Sequence, residues 1–120
     1  MAITIAQIET VLLKSGFSNV AEKSKDKEFV HINSGESIYL NKAEPKVYSQ
    51  MIVHPRHQDK RAKLVNSRSG IGSSNDLIFG AGYRAFPEKI RNGKTPCKYG
   101  VPFGFDSTVS LGVFLKEVFG

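Results

Sequence analysis

The sequence predicts an α+β domain: an antiparallel β-sheet with an N-terminal and a C-terminal amphipathic helix packed on it. Apolar residues recur at helical spacing near both ends, at Ile5, Ile8, Val11 and Leu12 and again at Leu111, Phe114, Leu115 and Val118. Between them the period falls to two, in Phe29-Val30-His31-Ile32 and Ser37-Ile38-Tyr39-Leu40. The length of 120 residues, with 40% hydrophobic and 23% charged side chains, suits a single domain, 1–120, built on one core.

Each element has a local cause. Thr4 and Gln7 have the spacing of a capping box at the start of the first helix. Gly16 suits the left-handed position that ends it, with Phe17 folding back onto the last turn. A polar, Lys-rich connection at 22–27 leads into a hairpin across Asn33-Ser34-Gly35-Glu36. If Val30, Ile32, Ile38 and Leu40 face the helices, then Phe29, His31 and Tyr39 point to the other face, joined by Tyr48. A third strand is expected over 47–53, after Pro45. Residues 54–76 are a long excursion, expected to fold over the aromatic face, because large exposed apolar patches are uncommon on monomers. Leu77-Ile78-Phe79 reads as a short strand, and 99–105, punctuated by Gly and Pro, as an irregular edge strand or ordered loop. Ser107 is the expected cap of the closing helix. Gly112 within it costs about 1 kcal/mol relative to Ala, which points to close packing at that position.

Composition narrows the function classes. One cysteine, Cys97, makes no internal disulfide and asks for no oxidising compartment. The first residues lack the basic and apolar regions of a signal peptide, and no apolar run approaches the ~20 residues that span a bilayer. A soluble, cytoplasmic protein without a membrane partner is the expectation.

Charge is the strongest functional signal. Residues 56–98 hold ten Lys/Arg against three acids, +7, whereas the remainder holds seven against eight, −1. A field concentrated on one stretch attracts polyanions or an acidic partner. Pro55 can open a short helix, placing Arg56, Lys60 and Lys63 on one face, with Arg61 and Arg68 adjoining and Arg84, Arg91, Lys94 and Lys98 following. Aromatic residues beside basic ones suit single-stranded nucleic acid, which makes Tyr39 and Tyr48 candidates for base stacking.

Other chemistry finds less support. His54 and His57 stand three apart and His31 lies on a strand, but neither CxxC nor HExxH accompanies them, and no metal is expected. Ser69-Gly70-Ile71-Gly72-Ser73-Ser74 lacks the ending of a phosphate-binding P-loop and reads as a turn. Ser73, Ser74 and Cys97 have no nominated base. An enzyme would need a pocket gathering His54 or His57 with Asp59 or Asp76; no cofactor is expected.

The block Tyr99-Gly100-Val101-Pro102-Phe103-Gly104-Phe105, with Ser107, Val109, Leu111, Phe114-Leu115 and Phe119-Gly120, resembles the YgaC-like family of small enterobacterial proteins of unknown function. Ile52-Val53-His54-Pro55 with Leu64, and Val11-Leu12, Lys14 and Gly16-Phe17, extend the likeness upstream. The resemblance implies an antiparallel sheet with helices and no established activity. Where the family pattern has histidines, before the Tyr-Gly pair and within the Pro-x-Gly segment, this chain has Lys98 and Phe103, so the resemblance implies no histidine chemistry there. The expected function is therefore a non-enzymatic binding domain contacting nucleic acid through 56–98. The alternative is an inhibitor or immunity-like module for an acidic protein.

Overall fold

The computed structural model describes residues 3–23, 26–41, 50–65, 69–73, 77–80, 83–90 and 96–119. The first helix, α1 (Ile5–Lys14), starts at the expected capping box: the Thr4 side chain accepts from the Gln7 amide, and Gln7 Oε1 accepts from the Thr4 amide at 2.8 Å. Ile8 and Leu12 are its buried residues. Gly16, at φ +86°, then turns the chain into β1 (Phe17–Glu22). This strand is not expected from the sequence, which shows no apolar alternation here because only Phe17 is fully buried. Pairing with β2 (Asp26–His31) defines it, and a bulge between Asn19 and Ala21 interrupts that ladder.

The hairpin of β2 and β3 (Ser37–Asn41) forms as expected, but the parity of β2 is reversed. Phe29 stands opposite Ile38, so cross-strand pairing puts it on the helix side with Ile38 and Leu40. Ile32 is 67% exposed. The cause is the turn. The amide of His31 donates to the Glu36 carbonyl and that of Gly35 to the His31 carbonyl, with Gly35 at φ +74°, which leaves Ile32 inside the turn. A one-residue change in where a strand ends exchanges its faces.

Next come β4 (Met51–Val53), a single 3₁₀ turn (Pro55–His57), α2 (Lys60–Leu64), β5 (Ile71–Gly72), β6 (Ile78–Phe79), β7 (Glu88–Ile90), β8 (Pro96–Phe105) and α3 (Thr108–Phe119). Of the strand expected over 47–53, the described part is β4; 47–49 lie outside the described residues. All described strand pairs are antiparallel, in the order β1-β2-β3-β4-β8-β5, with β6 and β7 also paired to β8. The expectation of an edge strand or loop at 99–105 is thus overturned. Strand β8 meets β4 through 101–103, β5 through 104–105, β6 through 99–100 and β7 through 96–98. Gly100 reflects crowding: a Cβ there would lie 2.5 Å from Ile52 Cγ2 and 2.8 Å from the Val53 carbonyl oxygen.

Helices α1 and α3 share one face of the sheet. The Ser107 hydroxyl caps α3, accepting from the Ser110 amide at 3.1 Å. Phe114 stands between Phe103 and Phe105, with ring centroids 4.7 and 5.2 Å away. Gly112 is exposed, and a Cβ there would meet no protein atom within 4 Å, so close packing does not account for it. The 3₁₀ turn and α2 also lie on this side: Leu64 joins the same core and His57 packs on Phe119. The fully buried Gln50 ties the layers together, its amide donating to the Ile3 carbonyl and accepting from the Phe105 amide.

On the opposite face Tyr39, Ile52, Tyr83 and Phe86 form a second, smaller core with half-buried Ile78. Of the aromatic residues expected on this face Tyr39 is buried there, covered by residues from 78–86, and from the 54–76 excursion His54 packs on Phe86 with ring centroids 5.7 Å apart. No helix among the described residues is long and apolar enough to cross a membrane.

Candidate nucleic-acid interface

The basic stretch begins where Pro55 opens its 3₁₀ turn. His54 Nδ1 caps the turn by accepting from the Arg56 amide at 3.0 Å. Burial and the Arg56 charge hold the His54 ring below its ordinary pKa, in keeping with an acceptor nitrogen. Arg56 is 61% exposed and its Nη1 lies 3.4 Å from Glu36. Buried His57 meets the same carboxylate, Nε2 to Oε2, at 2.6 Å. Burial raises the Glu36 pKa, but the His57 hydrogen bond and the His57 and Arg56 charges outweigh it, for a net lowering.

The α2 lysines turn to another acid. Lys63 Nζ lies 3.0 Å from Glu117 Oε2, and Lys60 Nζ donates to the Glu117 carbonyl at 3.3 Å. The Lys63 contact lowers the Glu117 pKa. Arg56 is therefore drawn towards Glu36, while Lys60 and Lys63 reach the end of α3. Arg61 is half-buried, with Nε and Nη2 closed off from solvent, and Arg68 lies outside the described residues.

Of the two tyrosines nominated for stacking, Tyr39 is closed off by burial. Tyr39 is 1% exposed, its hydroxyl accepting from the Ala85 amide at 3.0 Å, and burial pushes its pKa up to about 12. Its ring packs on Tyr83 and Phe86 and is closed to a base. Tyr48 lies outside the described residues.

A different aromatic pair occupies the ribbon of β6, β7 and β8. Phe79 stands opposite Tyr99, with ring centroids 5.8 Å apart and planes 30° from parallel, both residues half-buried. Lys89 Nζ lies 5.9 Å from the Tyr99 ring centroid. Strand geometry explains the meeting: Lys89 opposes Cys97, and Tyr99 is two residues on, hence on the same face. Every residue of β7 is exposed, including Ile90 at 58%. Lys98, opposite Glu88, reaches back to the Phe86 carbonyl at 3.2 Å. Sequence reasoning missed this patch because Glu88-Lys89-Ile90 alone carries no strand signal; the charge concentration over 56–98 included it without locating it.

Arg84 is committed elsewhere, its Nε 2.9 Å from the buried Glu28 carboxylate, which also accepts from Ser37. Among the described residues no group of three or more His, Cys, Asp and Glu side chains is placed to hold a metal ion. His57 is paired with Glu36 and not with Asp59, and Asp76 lies outside the described residues.

The family described as "Protein of unknown function (DUF2002)" matches residues 1–119. The chain belongs to this family. It is similar to the proteins called uncharacterized protein YgaC of Escherichia coli O6:H1, Escherichia coli O157:H7 and Shigella flexneri. Each is 25% identical over 114 residues, covering 95% of this chain and 92% of the relative. The likeness read from the C-terminal block thus extends over most of the chain. In this DUF2002 chain that block is β8, where the second core, the helix-side core and the ribbon all meet.

Proposed function

We propose that this protein is a non-enzymatic binding domain that contacts nucleic acid through the basic 56–98 segment. The observation that carries the reading is the half-buried Phe79–Tyr99 pair with Lys89 beside it, on a ribbon whose β7 strand is wholly exposed. Aromatic faces beside a cation are a sequence-tolerant platform for unpaired bases, each stacked base being worth about 1–3 kcal/mol. Phosphate contacts come from Lys89 and from Arg56, Lys60 and Lys63. Lys60 and Lys63 meet exposed Glu117, a surface contact that contributes little and is screened by salt, so phosphate competes with it readily; Arg56, itself 61% exposed, meets the largely buried Glu36.

The test is anisotropy of labelled single-stranded and duplex DNA and RNA across a salt series. Binding should weaken linearly in log–log form. Tyr99→Ala should lose about 5–150-fold for single strands, the equivalent of one stacked base. Lys89→Ala should reduce the salt slope by about 1. Replacing Arg56, Lys60 and Lys63 together with Ala should weaken binding to all sequences alike while leaving Tm nearly unchanged. No binding at low salt would discard the nucleic-acid reading and leave an acidic protein as the partner of the same surface.

A further inference from the structure

A cleft of about 560 Å³ opens where the end of α1, the β2–β3 turn and the last turns of α3 come together. This volume lies within the range of small-molecule sites. Its apolar part is a triangle of rings: Phe17 to His31 at 4.9 Å, Phe17 to Phe119 at 5.1 Å and His31 to Phe119 at 5.3 Å between centroids. The His31 ring is more than nine-tenths buried, and its Nδ1 is held by Ser34 Oγ at 2.9 Å. Ser15 and Ser34 are also on the lining.

Gly112 is the second observation. It lines the cleft from the middle of α3, yet a Cβ added there would meet no protein atom within 4 Å. Glycine inside a helix costs about 1 kcal/mol relative to alanine, and no neighbour among the described residues requires it. The space beside it is open cleft, so a missing side chain there enlarges the cleft and nothing else.

Charge selects the ligand. Among the described lining residues Lys116 is the one Lys or Arg, and none carries a carboxylate. Both α1 and α3 end here with the partial negative charge of a helix C-terminus, about half an elementary charge each. Lys14 in the last turn of α1 and Lys116 in that of α3 oppose those half-charges, and the Glu117 carboxylate in the same turn of α3 is paired with Lys63. We propose that this cleft binds a small carboxylate with an aromatic or branched apolar body, the body on the Phe17–His31–Phe119 rings and the carboxylate on Lys116 and a serine hydroxyl. The site is separate from the Phe79–Tyr99 ribbon and does not depend on nucleic-acid binding.

The experiment is a titration of the ¹⁵N-labelled protein with benzoate, followed by amide shifts, with benzyl alcohol and benzylamine as neutral and cationic controls. Saturable shifts clustered at His31, Ser34, Gly112 and Phe119 are expected with benzoate, at least about tenfold weaker with either control. Gly112→Leu, which fills the cleft from a helical position, should abolish saturation without lowering Tm. Lys116→Ala should weaken benzoate about tenfold, and Lys116→Arg should restore it. Absence of saturation by about 10 mM benzoate, a Kd too weak for a built site, would overturn the proposal. Shifts that persist in Gly112→Leu, or equal affinity for benzylamine, would overturn it as well.

Discussion

Gln50 sits where the start of the chain, β4 and β8 converge, and each of its polar contacts is to a backbone group. Its main chain also takes part, the amide donating to the Phe103 carbonyl at 2.9 Å and the carbonyl accepting from Asn41 at 3.0 Å. A leucine of similar size would keep these main-chain bonds and lose the side-chain ones. Two backbone groups, the Ile3 carbonyl and the Phe105 amide, would then be buried without partners. Each such group costs about 1–3 kcal/mol. Gln50→Leu is accordingly expected to lose about 2–4 kcal/mol in a urea titration with its slope unchanged. A change under about 0.5 kcal/mol would mean that water replaces the amide. Nothing in the sequence marked this glutamine, because its partners lie 47 and 55 residues away. By contrast Thr4–Gln7 and Ser107–Ser110 were legible, since a cap is closed within three residues.

At the scale of elements, two glycines in similar-looking apolar surroundings have opposite reasons to be there. Gly100 in β8 faces Ile52 and the Val53 carbonyl too closely for any side chain, whereas Gly112 in α3 faces open space. Gly100→Ala should therefore destabilise by about 1–3 kcal/mol through overpacking. Gly112→Ala should stabilise by up to about 1 kcal/mol through helix propensity. Thermal melts of the two variants should move in opposite directions; a fall in both would mean that α3 packs more tightly at Gly112 than its contacts indicate. The helices and the β2–β3 hairpin could be read from periodicity because each buries one face of a regular element. Strands β1 and β7 could not, since each is defined by hydrogen bonding to a neighbour and buries one residue or none. The centrality of β8 was hidden for the opposite reason: Gly and Pro usually mark a strand's margin, but here small residues let several chains approach one strand.

For the whole molecule, the positive balance of +6 is arranged around a few acids, and these set its response to pH. Glu36 joins the hairpin turn to the 3₁₀ turn through His57 and Arg56, and its pKa is lowered in the fold. A carboxylate with a depressed folded pKa contributes stability that is fully present above its unfolded pKa, about 4.3, and is lost as pH falls through the folded value. Glu117 is shifted in the same direction at the surface and adds to the same limb. Stability should thus decline from about pH 5 downwards. Glu36→Gln should be less stable at pH 7 and show a shallower decline over that range. Parallel curves for the two proteins would show that Glu36 titrates alike in the folded and unfolded chains. The candidate interface was legible only at this scale: net charge named the segment, while the rings and lysine that could form a platform were brought together by strand register.

The dependence of four strands on β8 has a consequence for how the chain is made. β4 ends at Val53 and β8 begins at Pro96, so 42 residues separate β4 from the strand that completes it. At about 10 residues per second, translation leaves the open edge of β4 without this partner for roughly four seconds. During that interval Met51, Ile52 and Val53, each fully buried in the finished protein, stand at the margin of an incomplete sheet. A nascent chain stalled before Pro96 thus presents an unpaired apolar strand edge of the kind that chaperones shield, until β8 emerges to cover it.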